Sequence, residues 1–161
     1  MELRLELIVL PVSNVDRSKE FYKRVGFRED IDYAIGEDFR IVVLTPPGSP
    51  AAIVIGRGVT NAEPGSVAGL HLSVSSVTAT RDELIGRGID VGEVFHDVGG
   101  VFHHASPAWE IPGPDPAGRD GATFARFADP DGNEWLLHEM TPSGSPGAAI
   151  ERRMRLLPKD H

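Results

Sequence analysis

The sequence predicts an α+β fold in which one βαβββ module occurs twice. Residues 9–27 align without a gap with residues 71–89, so that Val9 matches His71 and Val12 matches Val74. The segment TPPGS at 45–49 aligns in the same way with DPDGN at 129–133. A chain of 161 residues is long enough for one domain or for two small modules that share a core.

The first module is predicted over residues 2–60, and it opens with a buried strand. The apolar run Leu7–Val12 is too short for a signal segment or for a membrane span. A helix follows near Val15–Arg24, because Ser13 and Asn14 can accept hydrogen bonds from the free N–H groups at its start. The predicted inner face of this helix consists of Val15, Phe21, Tyr22 and Val25.

Glycines and paired turns mark the remaining element boundaries. Gly26 and the matching Gly88 suit a left-handed residue just past each helix end. The turn TPPGS joins the strands RIVVL and AAIVI, and DPDGN joins TFARF and EWLLHEM. Proline at the second position and glycine at the fourth are typical of a type I turn.

The second module is predicted over residues 67–141, after a proline- and glycine-containing linker at 61–69. The two matching turns lie farther apart in the sequence than the two matching helices do, which indicates an insertion at 96–120 in this copy. A tail at 142–161 follows, with a possible short basic helix at 148–157 that is solvated or docked.

The charge and the composition of the chain limit the classes of molecule that it can bind. The chain has 24 acidic against 16 basic residues and a formal net charge of −8, which argues against a nucleic-acid partner. It has no cysteine, so it has no disulfide and no thiolate ligand or nucleophile, and it suits a reducing cytoplasm. We expect a cytoplasmic protein with a small-molecule ligand and without a membrane partner.

The segments VSNVDRSKEFYKRVGF and FADPDGNEWLLHE together resemble the vicinal oxygen chelate superfamily over residues 4–140. That superfamily includes glyoxalase I, extradiol dioxygenases, methylmalonyl-CoA epimerase, fosfomycin-resistance enzymes and bleomycin-resistance proteins. The stretch VFHDVGGVFHH at 94–104 is similar to its glyoxalase-like branch. The resemblance implies two modules forming a curved mixed sheet around a concave cup, usually in a homodimer. It also implies metal ligands on the first and last strand of each module in the metal-dependent members.

The residues at the implied ligand positions cannot bind a metal. The first-strand position lies five residues before the closing valine, which gives Leu7 and Gly69. The last-strand position lies seven residues after the first aspartate of DPDG, which gives Leu136, and the alignment of the two turns gives Ala52. Because none of these residues carries a nitrogen, oxygen or sulfur donor in its side chain, the usual chelate chemistry is in doubt.

A shift of two residues along each strand stays on the same face of the sheet and gives Val9, Val54, His71 and His138. His71 and His138 are expected to be close, because the first and last strands of a module are neighbours in this fold. They are either polar residues lining the cup or hydrogen-bonded core histidines. The alternative is a displaced metal site or an acid/base pair. Further metal donors would then have to come from His96, His103, His104 or Glu139.

The inserted segment is predicted to be an ordered flap over the cup, with an oligomer contact as the alternative. Phe102 and Trp109 give it apolar anchors, and its four prolines stiffen it. His103 and His104 would point to opposite sides of a strand, so at most one of them faces a ligand.

Three functions follow from these patterns. The first is a small-molecule binder without the usual metal site and with no cofactor expected. Its predicted ligand-binding residues are Leu7, Val9, Val54, His71, Phe102, His104, Trp109, Leu136 and His138. The second is a lyase, isomerase or dioxygenase with His71 and His138 as catalytic residues or as ligands of a divalent metal. The third is a dimeric interaction or regulatory domain without a small-molecule role.

Overall fold

The computed structural model describes residues 1–98, 106–141 and 145–155. Within these residues the chain forms three α-helices and two mixed sheets of four and five strands, which confirms the predicted α+β class. The chain divides into two compact units. One consists of Met1–Gly69 with Ala128–Glu134, and the other consists of Leu70–Phe127 with Trp135–His161.

The first unit contains one four-stranded sheet and one helix. Its elements are β1 (Leu7–Val9), α1 (Val15–Val25), β2 (Arg28–Ile35), β3 (Phe39–Thr45) and β4 (Ala52–Arg57). The strand order is β1-β4-β3-β2, with β1 parallel to β4 and the other neighbours antiparallel. The described order of elements is therefore the βαβββ module that the sequence predicts.

Helix α1 begins and ends where the sequence signals place it. The side chain of Asn14 accepts a hydrogen bond from the backbone N–H of Arg17 at 3.0 Å, which satisfies one of the free donors at the helix start. Gly26 has a φ of +122°, and its N–H donates to the carbonyl oxygens of Tyr22 and Lys23. Of the predicted inner face, Val15, Tyr22 and Val25 are buried and Phe21 is half-buried.

The sheet of the first unit has one buried and one exposed apolar row. Helix α1 packs on β3 and β4, and the buried apolar side chains alternate along β3 but are consecutive from Ile53 to Ile55 on β4. This core row includes Val42, Leu44, Ile53 and Ile55. On β2, by contrast, Ile31, Tyr33 and Ile35 keep 52%, 58% and 60% of their surface exposed.

Within the residues that the structure describes, the second unit has five strands instead of the four that the repeat predicts. Its elements are β5 (Leu70–Val74), α2 (Val77–Gly86), β6 (Phe95–Asp97), β7 (Glu110–Pro112), β8 (Thr123–Ala128), β9 (Glu134–Glu139) and α3 (Pro146–Arg155). The strand order is β5-β9-β8-β6-β7, and β5 is parallel to β9. Helix α3 overlaps the segment 148–157 where the sequence predicts a possible short helix, and Ala149 is buried.

The extra strand comes from the inserted segment. A short 3-10 turn at Pro107–Trp109 leads into β7, which pairs antiparallel with β6 at the edge of the sheet. Proline lacks an N–H donor, so Pro112 suits an edge strand. The described part of the insertion is therefore partly built into the sheet, whereas Phe102, His103 and His104 lie outside the described residues.

The DPDGN turn packs within the first unit, although the repeat assigns it to the second module. Gly132 has a φ of +98°, and Gly48 in the matching TPPGS turn has a φ of +77°. The amide nitrogen of Asn133 donates to the carbonyl oxygen of Pro11 at 2.9 Å. The hydroxyl of Tyr22 donates to the carboxylate of Asp129 at 2.9 Å. The motif residues therefore hold the first unit together.

No helix among the residues that the structure describes is long and apolar enough to cross a membrane.

Candidate functional site

The positions where the resemblance implies metal ligands carry no donor, and those of the first unit, Leu7 and Ala52, lie side by side in the sheet. In the first unit Leu7 lies opposite Ala52, and Val9 lies opposite Val54. In the second unit His71 lies opposite Leu136, and Gly69 directly precedes β5. Hydrocarbon side chains and glycine offer no lone pair, so these positions do not fit a resident metal ion.

Strand register corrects one of the aligned positions. The repeat matches Val9 with His71, and the residues paired with them across the sheet are Val54 and Leu136. The counterpart of Leu136 is accordingly Val54, where the sequence alignment gave Ala52. Two additional residues therefore separate the TPPGS turn from its strand. Neither Val54 nor Ala52 can coordinate a metal.

Four rings form a continuous row on the sheet of the second unit. The ring centroids of His71 and His138 are 5.5 Å apart, and those of His138 and Phe124 are 4.6 Å apart in a stacked arrangement. Phe124 and Phe95 are also stacked, at 5.6 Å. Contacts of this kind add to the stability that burial provides. The expected proximity of the two histidines is thus confirmed, while their role stays a prediction.

His138 is fixed by a hydrogen bond as well as by stacking. Its Nε2 lies 2.9 Å from the carbonyl oxygen of Gly121, and the side chain is buried. Because a carbonyl oxygen only accepts hydrogen bonds, Nε2 must carry the proton. A metal at this nitrogen would require that bond to break.

Two of the four additional donors considered for a displaced metal site make other contacts. The Nδ1 atom of His96 lies 2.9 Å from the carbonyl oxygen of Gly113. The carboxylate of Glu139 accepts a hydrogen bond from the N–H of Val77 at 2.9 Å, at the start of α2. Across residues 1–98, 106–141 and 145–155, no group of three or more histidine, aspartate or glutamate side chains is placed to hold a metal.

A cavity of about 290 Å³ opens in the second unit, next to this row of rings. Its lining consists of Gly92, Glu93, Val94, Phe95, Pro107, Glu110, Pro112 and Arg126. The guanidinium carbon of Arg126 lies 5.1 Å from the centre of the Phe95 ring, within the range of a cation–π contact. Arg126 also forms an ion pair of 2.7 Å with Glu110.

Some residues at or next to the cavity were not predicted as site residues from the sequence. Phe124 and Arg126 are two residues apart on β8 and therefore share a face, a signal that was visible in TFARF. Glu110 was not recognisable, because its position depends on the pairing of β7 with β6.

The residues that were predicted to bind a ligand are distributed over the two units. Trp109, with 46% of its surface exposed, lies between the lining residues Pro107 and Glu110. His71, Leu136 and His138 belong to the second unit, and Leu7, Val9 and Val54 belong to the first. Phe102 and His104 fall outside the described residues.

Comparison with known proteins agrees with this architecture. TnmS3, described as an antibiotic-binding protein from Streptomyces sp. CB03234, has a TM-score of 0.64 and 28% identity over 87% of this chain and 98% of its own. A glyoxalase/bleomycin resistance protein from the same strain has a TM-score of 0.60 and 29% identity over 84% of this chain and 99% of its own.

A superfamily member from Sphaerobacter thermophilus DSM 20745 shares the fold, with a TM-score of 0.60 and 23% identity over 85% of this chain and 97% of its own. No curated protein matches the sequence. The profile of the glyoxalase/bleomycin resistance protein/dioxygenase superfamily matches residues 4–137. The chain therefore belongs to the glyoxalase/bleomycin resistance protein/dioxygenase superfamily.

Proposed function

We propose that this chain binds a small organic molecule in the cavity of the second unit, without a metal at the usual superfamily positions. One observation carries the proposal. The side chains at those positions have no donor, while the second unit presents a cavity whose wall holds the aromatic ring of Phe95 and the ion pair between Arg126 and Glu110. Small-molecule sites are typically apolar concavities with a few polar groups. The antibiotic-binding relative with 28% identity supports the same function.

A thermal-shift screen tests the proposal. A panel of antibiotics and aromatic metabolites is added to the protein, and a ligand at about 100 times its Kd should stabilise it by about 2.7 kcal/mol. Trp109→Ala should weaken the binding of that ligand, because Trp109 lies in the sequence between Pro107 and Glu110, which line the cavity. Met154→Ala is the matched control, since Met154 is a similarly exposed apolar residue on α3. A screen without any stabilising compound would contradict the proposal.

An enzymatic function is the second candidate, and the contact between His71 and His138 favours it. The two imidazoles would serve as an acid/base pair or as part of a displaced metal site in a lyase, isomerase or dioxygenase. Metal analysis of protein purified without a histidine tag separates the candidates. Stoichiometric metal that is lost in a His71→Ala/His138→Ala double variant would support the enzyme and would contradict the binder without a metal.

We also propose that the protein is a cytoplasmic homodimer. The dimer is supported by the exposed row Ile31, Tyr33 and Ile35, since a contiguous apolar patch commonly marks an interface. Light scattering during gel filtration should give twice the chain mass, and Tyr33→Asp should shift the protein to monomer. A monomeric wild-type protein would contradict the dimer. The location is supported by the absence of cysteine, and cell fractionation tests it.

A further inference from the structure

The guanidinium group of Arg126 is built into a stack of flat groups. Phe124 and Phe95 lie face to face, with their planes inclined by 25°, and the guanidinium carbon lies 5.1 Å from the Phe95 ring centre. Arg126 keeps 29% of its side-chain surface exposed and lines the cavity. A planar guanidinium stacks well on flat ring systems, which an ammonium group cannot do.

Glu110 holds this guanidinium in place. Its carboxylate accepts a hydrogen bond of 2.7 Å from Arg126, and it reaches that position because β7 pairs with β6 at Asp97 and Glu110. Strands β6, β7 and β8 therefore each contribute one residue to this arrangement, namely Phe95, Glu110 and Arg126. The carboxylate also cancels the charge of the guanidinium locally.

We propose that Arg126 is a stacking platform that selects planar, conjugated ring systems, and that Glu110 is a positioning residue that makes the selection insensitive to the charge of the ligand. This inference rests on the proposed function and names the ligand class of the same cavity. The pair of Arg126 and Glu110 is neutral, and Glu93 at the same cavity is paired with Arg81, so the wall attracts neither anions nor cations and flatness decides affinity. Aliphatic molecules of equal size cannot stack and bind weakly.

Three probes of similar size separate flatness from charge. They are 2-naphthol, which is flat and neutral, 2-naphthoate, which is flat and anionic, and decahydro-2-naphthoate, which is anionic and saturated. NMR titration of the wild-type protein should give similar affinities for the two flat probes and about tenfold weaker binding of the saturated one. Equal binding of 2-naphthoate and its saturated form would overturn the inference.

Two variants test the roles of the two residues. Arg126→Lys keeps the charge and should weaken both flat probes by about tenfold. Glu110→Gln should keep the binding of 2-naphthol but should favour 2-naphthoate by about fivefold, because the guanidinium is then an uncompensated cation. Arg87→Lys is the matched control, since Arg87 pairs with Glu83 on α2 and does not line the cavity. It should leave all affinities unchanged.

Failure of this inference differs from failure of the proposed function. If a compound from the thermal-shift screen binds and Arg126→Lys does not change its Kd, the stacking platform is overturned while the binding function stands. If neither the screen nor the probes give any binding, both are wrong. Should Arg126→Lys fail to fold, the charge preference of Glu110→Gln decides, and unchanged selectivity in that variant would overturn the inference.

Discussion

The imidazole rings of His71 and His138 lie 5.5 Å apart in an edge-to-face arrangement on the sheet of the second unit. His138 also stacks on Phe124 and bonds the carbonyl oxygen of Gly121. These contacts make His138 part of the packed interior. The geometry therefore favours a structural role for His138 over ligation of a metal.

Replacement of His138 should destabilise the protein. His138→Ala removes a buried ring and leaves the Gly121 carbonyl without this donor, so we expect a loss of about 2–4 kcal/mol in the free energy of unfolding. Chemical denaturation measures the change. Replacement of the less buried His71 by alanine is the comparison and should cost less. A His138 variant as stable as the wild type would show that the ring does not stabilise the sheet.

Removal of one hydroxyl tests the link between α1 and the DPDGN turn. Tyr22→Phe deletes the buried donor to Asp129 and should cost about 1–2 kcal/mol. Ser66→Ala is the control, because it removes an exposed hydroxyl from the same unit, and it should change the stability by less than about 0.5 kcal/mol. Equal effects of the two changes on the denaturation midpoint would contradict this account.

Asn133 connects three segments of the first unit. Its side chain accepts from the N–H of Val67 at 3.1 Å and donates to Pro11 and to Asp129. Asn133→Ala leaves these buried groups short of partners, so we expect a loss of about 2–4 kcal/mol. Asn61→Ala at an exposed position is the control. If both variants unfold at the same temperature as the wild type, the hydrogen bonds of Asn133 make no measurable contribution to stability.

Acid should selectively weaken the turn that contains Asp115. The hydrogen bonds from Arg119 lower the pKa of the Asp115 carboxyl below its usual value, and the side chain is fully buried. A depressed pKa in the folded state gives stability that is complete above the unfolded-state value of about 4 and is lost as the pH falls through the folded-state value.

Asp115→Asn should therefore be less stable than the wild type by about 2 kcal/mol at neutral pH, and the difference should shrink below a pH of about 4. Denaturation at a series of pH values measures the gap. Asp38→Asn, in the exposed turn between β2 and β3, is the control and should reproduce the wild-type profile. A gap that stays constant down to the acid limit would contradict the role of the Asp115–Arg119 pair.

Local patterns predicted the parts of the fold that depend on neighbouring residues. The period of two placed His71 and His138 on one face, and the capping signals at Asn14 and Gly26 located the ends of α1. The repeat also identified the turns, because glycine and proline positions reflect backbone geometry that any chain must satisfy.

Features that depend on the pairing of strands distant in the sequence could not be predicted from local patterns. The position of Glu110 against Arg126 requires a fifth strand that forms only when the insertion returns to the sheet edge. The shift from Ala52 to Val54 reflects two extra residues after a turn, which a gapless comparison cannot register. Part of the missed site could have been found, since the alternation in TFARF already places Phe124 and Arg126 together.

The proposed function requires that the cavity of the second unit binds an organic ligand without help from a metal. Its most direct test is a calorimetric titration of the compound identified by the thermal-shift screen, carried out with chelator-treated protein and with protein supplied with zinc, iron, nickel or manganese. We expect the same Kd under all of these conditions and a higher Kd for Arg126→Lys. Binding that disappears on chelation and returns with one of the metals would contradict it.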